Sequence, residues 1–225
     1  MIYAGRRSVS CCLISVVCLA FLALPVAATD IEQRQFIIFV NGKEAGSSKM
    51  TIVQKDDGTT DMSATVDVKF RRVFSDYHLK ITTQESWKDG RLVGMKSSST
   101  ENSKQTEVVV TLENKQLRMR VNGQERGANP DAWTSSYWKL ADARFHNKQV
   151  PILEVDSGKE YTGELKFIDN QKLKVAGQLL DCYHFRVTGG PGPTDLWFDR
   201  YHRLVRQEFT ELGHKTIVQL VNIQR

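Results

Sequence analysis

Met62-Ser63-Ala64-Thr65-Val66-Asp67-Val68-Lys69-Phe70 decides the fold: five apolar residues alternate with four polar ones without a break. Such a period of two belongs to a strand with one buried and one wet face. The next stretch repeats it, with Tyr77, Leu79, Ile81 and Trp87 on one side and His78, Lys80, Thr82, Gln84 and Ser86 on the other. Working outward, Phe36 to Val40, Lys49 to Gln54, Leu92 to Ser98, Glu107 to Leu112 and Leu117 to Val121 fit the same template. So do Ile152 to Val155, Tyr161 to Ile168, Leu173 to Leu179, Tyr183 to Val187, Asp195 to Phe198, Leu204 to Thr210 and Thr216 to Ile223. Asn41-Gly42, Asp57-Gly58, Asp89-Gly90 and Asn122-Gly123 separate the first of these, and such pairs supply the positive φ of tight hairpins. Ser157-Gly158, Asp169-Asn170 and Leu212-Gly213 are weaker turn signals. Hairpins in succession place neighbours in sequence side by side. The expectation is an all-β domain, one large curved antiparallel meander of roughly ten strands that curls into a half-barrel or open barrel.

Asn129 to Asn147 departs from the pattern. Asn129 can cap, Pro130 suits a first helical position, and Trp133, Tyr137, Ala141 and Phe145 recur at steps of four. With Trp138 beside them, they predict one short helix whose aromatic stripe lies across the concave side of the sheet. Thr134, Ser135 and Ser136 weaken helix propensity, which leaves a shorter helix with an ordered loop as the alternative. Gly189-Gly190-Pro191-Gly192-Pro193 joins two strands and reads as a plain loop, since a phosphate cradle needs a following helix.

The first 28 residues read as an export signal. Arg6 and Arg7 lead an uncharged apolar run from Cys11 to Leu24, followed by Pro25-Val26-Ala27-Ala28, and the run is shorter than the about 20 residues a spanning helix needs. Two valines precede Cys18, against a lipidation site, and the residues around Arg6-Arg7 do not make a twin-arginine signal. Cleavage near Ala28 would leave residues 29–225 as a single antiparallel β domain in the periplasm or outside the cell. Cys182 is the one cysteine beyond the signal, so no internal disulfide forms there. The formal charge of +5 falls to +3 without the two signal arginines, too small an excess to indicate nucleic-acid binding.

Ser136-Tyr137-Trp138, the run Ile152-Leu153-Glu154-Val155-Asp156-Ser157-Gly158-Lys159, and Asp195-Leu196-Trp197-Phe198-Asp199 with Arg203-Leu204-Val205-Arg206 resemble uncharacterised bacterial exported domain-of-unknown-function families. Those families are similar in architecture to the lipoprotein-localisation (LolA/LolB-type) fold. The resemblance implies an antiparallel half-barrel with a helix across its concave side and an apolar ligand class. It carries over no catalytic residues.

The residues show no catalytic or metal motif. His78, His146, His184, His202 and His214 have no metal-ligand spacing, and alternation puts His78 and His184 on polar faces. Cys182 with His184 is the closest nucleophile-like pair, without an adjacent acid or oxyanion motif. Asp195 with Asp199, and Glu154 with Asp156, are the close carboxylate pairs, better placed as turn residues. The leading expectation is an exported non-enzymatic carrier for an apolar small molecule, lipid or lipoprotein acyl chain, with no cofactor and only transient membrane contact. Trp133, Tyr137, Trp138 and Phe145 would form its lid; Phe70, Leu79, Ile81 and Trp197 its wall. The alternatives are a filled-core envelope module that meets a protein partner, and a secreted hydrolase requiring Cys182, His184, Asp195 and Asp199 to converge in one cleft.

Overall fold

The computed structural model describes Met1 and residues 30–72, 75–175 and 177–225, so the expected export signal lies outside the described residues apart from Met1. The strands are β1 (Asp30–Val40), β2 (Lys43–Gln54), β3 (Thr59–Arg71), β4 (Asp76–Lys88), β5 (Arg91–Glu101), β6 (Lys104–Glu113), β7 (Gln116–Val121) and β8 (Gln124–Ala128). A second series follows: β9 (Trp133–Thr134), β10 (Lys148–Leu153), β11 (Glu160–Val175), β12 (Gln178–Thr188), β13 (Thr194–Asp199), β14 (Leu204–Glu211) and β15 (His214–Gln224). All belong to one 15-stranded sheet in the order β8-β7-β6-β5-β4-β3-β2-β1-β15-β14-β13-β12-β11-β10-β9.

Two meanders are thus joined where β1 pairs with β15, for instance Phe36 opposite Leu220. The turn chemistry acts as read: Asn41 and Gly42, Asp89 and Gly90, and Asn122 and Gly123 all have positive φ, near 50° and 74–84°. Asp169-Asn170 is different. It lies inside β11, where a bulge between Phe167 and Asp169 lets one long strand carry what alternation had divided into two.

The topology dictates the curl. β8 and β9 are the two edges of the sheet, yet only residues 129–132 connect them. Five Cα steps from Ala128 to Trp133 span at most about 19 Å, so the sheet must roll until its edges face each other. It stays open, because β8 and β9 are not paired with one another. The turn between β10 and β11 tucks into this roll: Gly158, at φ 65°, leaves no room for a Cβ, which would lie 2.6 Å from Val121 Cγ2.

The expected helix does not form. Between Asn129 and Asn147 the chain makes the two-residue β9, an isolated bridge from Lys139 to Arg203, and one 3-10 turn over Ala143–Phe145. The backbone groups are satisfied by remote partners instead: Ser135 N donates to Leu153 O of β10 at 2.9 Å, and Leu140 N to His202 O in the β13–β14 turn at 3.0 Å. Asn129 Oδ1 accepts from Asp131 N, a local turn rather than a helix cap. Tyr137 adopts φ +45°, incompatible with continuing a helix through the aromatic stripe. The segment is a strap, and its aromatics go inward by tertiary packing.

Candidate functional site

The strap fills the interior of the roll. Trp133, Tyr137 and Trp138 are 3–6% exposed, buried in one cluster with Phe36, Met62, Phe185 and Phe198. Trp133 meets Tyr137 edge-on at 4.7 Å and Phe198 at 6.5 Å, and Trp138 meets Trp87 edge-on at 6.3 Å. Phe145 packs, partly buried, against the same cluster.

The other expected wall residues are scattered. Phe70 and Leu79 join a separate small cluster around Ile38, Val40 and Val68, while Ile81 packs on a third formed by Leu92, Met95, Val108 and Met119. Trp197 belongs to the same buried cluster as the strap aromatics, on the face of β13 opposite Leu196 and Phe198 by alternation. There it stacks on His184 at 4.4 Å and 6° and donates to Gln171 Oε1. The structure thus gathers the lid residues and Trp197 in one cluster, while Phe70, Leu79 and Ile81 pack elsewhere.

Polar groups add to this apolar packing at the strap's two flanks. At one flank Arg34, on β1, donates to Trp138 O and to Glu32 Oε1. Glu32 Oε2 accepts from Arg203 at 3.0 Å and Arg225 at 2.9 Å, and Arg203 also pairs with Asp199. Burial pushes the Glu32 carboxyl up, but the three guanidiniums outweigh it and hold it at about 2. The same burial lowers Arg34, against the pull of Glu32.

At the other flank stands Glu85, 1% exposed. Its Oε2 accepts from Trp87 Nε1 at 2.8 Å and from Thr134 Oγ1 of the strap at 2.9 Å. Among the described residues its Oε1 has no hydrogen-bond partner of good geometry, and burial drives its carboxyl upward against the donors that surround it, Trp87, Ser136, Thr134 and Trp138. Thr83 Oγ1 and Ser97 Oγ, also buried, have none either. The sequence carried a signal for both flanks. Glu85 shares the odd-numbered face of Leu79 and Ile81, and Glu32 and Arg34 share the even-numbered face of Phe36 and Ile38, so each was a charge on an apolar face.

The hydrolase candidates share one outer face without forming a nucleophilic site. Asp195 accepts from His184 Nε2 at 2.8 Å and from Arg186, and Asp169 lies 3.2 Å from His184 Nδ1, so both ring nitrogens are engaged. These contacts from His184 and Arg186 hold the Asp195 carboxyl down against its burial. His184 was placed on a polar face by alternation; it does lie there, but buried beneath Trp197. The long β11–β12 hairpin bends back over this side, since β11 touches β15 across three intervening strands. Cys182 is buried and its thiol is pushed up to about 11 by burial and by Asp199. Asp199 is committed to Arg203, and Glu154 accepts from Ser157. Among the described residues no group of three or more His, Cys, Asp or Glu side chains could hold a metal ion.

These features define a class: a rolled, unclosed antiparallel sheet whose interior is occupied by an aromatic strap. The chain belongs to the family described as domain of unknown function DUF6134, whose model matches residues 36–221. No curated protein matches it. Among solved structures it is similar to a β-barrel-like protein of domain of unknown function DUF1849 from Brucella abortus. That likeness has a TM-score of 0.60 at 6% identity and covers 86% of this chain and 97% of that one, a likeness of fold alone. It also matches LprF from Mycobacterium bovis at 12% identity over 86% of this chain and 85% of that one, but a TM-score of 0.30 carries no argument.

Proposed function

We propose that the protein is an exported, non-enzymatic carrier for an apolar ligand such as a lipid or acyl chain, with the Asn129 to Asn147 strap as a displaceable plug. One observation carries this reading. The apolar interior of the roll is occupied by a segment with almost no regular structure of its own, hung on side-chain anchors at Arg34 and Glu85. Tyr137, an aromatic residue at φ +45°, adds backbone strain of about 1–3 kcal/mol to the plugged state. A ligand that replaces three buried aromatics recovers the same kind of apolar contact, at about 25 cal/mol per Å² of surface removed from water. The engaged ring nitrogens of His184 and the raised Cys182 thiol support a non-catalytic role.

The mature protein purified from its native host should carry lipid detectable by native mass spectrometry. A fluorescent fatty acid should also quench the strap tryptophans. Lipid-free protein that binds no such probe overturns the proposal. The second reading, a filled-core envelope module with a protein partner, is favoured by the solid packing of Trp133, Tyr137 and Trp138. It requires the opposite outcome in both measurements.

A further inference from the structure

Three buried oxygens inside the roll lack partners among the described residues: Glu85 Oε1, Thr83 Oγ1 and Ser97 Oγ. They occupy one spot. Thr83 is directly opposite Ser97 across β4 and β5, and Glu85 is two residues along from Thr83 on the same face. Side chains so related sit about 5 to 7 Å apart, within reach of one small group. A buried polar atom without a partner is costly, and three together leave hydrogen-bonding capacity that a bound group can take up. A carboxylate accepts and the two hydroxyls accept as well as donate, so all three can take the three N–H donors that a primary ammonium carries on one atom.

A second, independent feature leads to the same spot. Ser99 follows Ser97 on the inner face of β5 and donates to Asp156 O at 2.7 Å, and beyond it comes Glu101. Around this point Asp156, Glu101 and Glu154 stand close enough to Glu211 for their charges to add to burial in raising its carboxyl, against Arg72. A polar track thus runs from an acidic rim through Ser99 and Ser97 to Glu85, and such a rim concentrates cations.

We propose that Glu85, Thr83 and Ser97 form the head-group site of an amphiphile bearing a primary ammonium, whose apolar tail takes the space of the strap aromatics. This rests on the carrier reading and names its ligand class. Thr134, which donates to Glu85 Oε2, couples occupation of the niche to movement of the strap.

The test titrates the full mature protein with dodecylamine and with dodecanoate, equal in tail and opposite in head, by calorimetry at pH 7. Dodecylamine should bind at least tenfold more tightly. Glu85→Gln should erase that preference while dodecanoate binding stays within twofold. Thr83→Val, a milder change that keeps the carboxyl, should weaken dodecylamine about threefold or more, so the test survives if Glu85→Gln does not fold. Glu211→Gln, at the rim, should alter salt dependence but not the preference. Equal binding of both amphiphiles, or a preference indifferent to Glu85→Gln and Thr83→Val, overturns the head-group site and leaves the carrier reading intact. A preference lost only with Glu211→Gln also overturns it, since the rim alone then selects. Binding of neither amphiphile overturns both.

Discussion

The meander from β2 to β8 and the strap that follows it are built on opposite principles. In the meander each strand pairs with its neighbour in sequence through a short turn, and residues such as Asn122 carry the instruction locally: its Oδ1 accepts from Glu107 N while its φ of 50° reverses the chain. In the strap the partners are remote, with Arg34 reaching Trp138 O across 104 positions and Thr134 reaching Glu85 across 49. A region wired to its neighbours is insensitive to events elsewhere. A region wired to distant side chains forms only when the rest is in place, and it can be released by changing a few of them.

Several substitutions test that contrast. Trp133→Ala should have the largest effect, a loss of about 3–5 kcal/mol in urea unfolding, with the far-ultraviolet β signature retained because the meander does not depend on the strap. Arg34→Met should cost about 3 kcal/mol, since Glu32 stays buried with fewer partners. In limited proteolysis it should admit cleavage between Asn129 and Asn147 before any in β2 to β8. Cleavage in the meander first would contradict the distinction. Asn122→Ala should cost only about 1 kcal/mol, through one lost hydrogen bond and a strained φ. If it costs more than Trp133→Ala, the strap is not the region that depends on remote contacts.

The two anchors should also respond to pH with opposite sign. Glu32 is held at about 2 when folded against 4.5 when free, so its contribution is complete above about pH 4.5 and is lost as pH falls toward 2. Glu85 is raised, so the unfolded chain ionises first. Its contribution is greatest below pH 4.5 and declines as the pH climbs through the folded carboxyl's range. Urea midpoints against pH should flatten on the acid side in Arg34→Met and on the neutral side in Glu85→Gln. The smallest effect concerns Cys182: with its thiol near 11 and buried, Ellman's reagent at pH 8 should leave native protein unmodified and react fully after denaturation.

Much of the sheet was legible because alternation and turn dipeptides act over two to four residues. Met62 to Phe70 became β3 with Met62, Ala64 and Val68 buried, as the pattern required. The aromatic stripe was legible as a buried feature but misread as a helix. Steps of four in Trp133, Tyr137, Ala141 and Phe145 say which residues go inward, and Ser135 and Leu140 bonding to remote partners decided by what backbone path. For Trp197 the sequence said only that it is buried: both faces of β13 are covered, and its sequence does not say which face Trp197 takes.

The sequence alone determined that this chain makes antiparallel hairpins, because each depends on a turn and an alternation contained in contiguous residues. Only the tertiary structure decided that the two meanders join at β1 and β15 and that Glu32, Arg34 and Glu85 are enclosed with the strap. Enclosure depends on a rolled sheet bringing distant strands around the same space, and the free energy of a buried charge is set by those surroundings rather than by its neighbours in the chain.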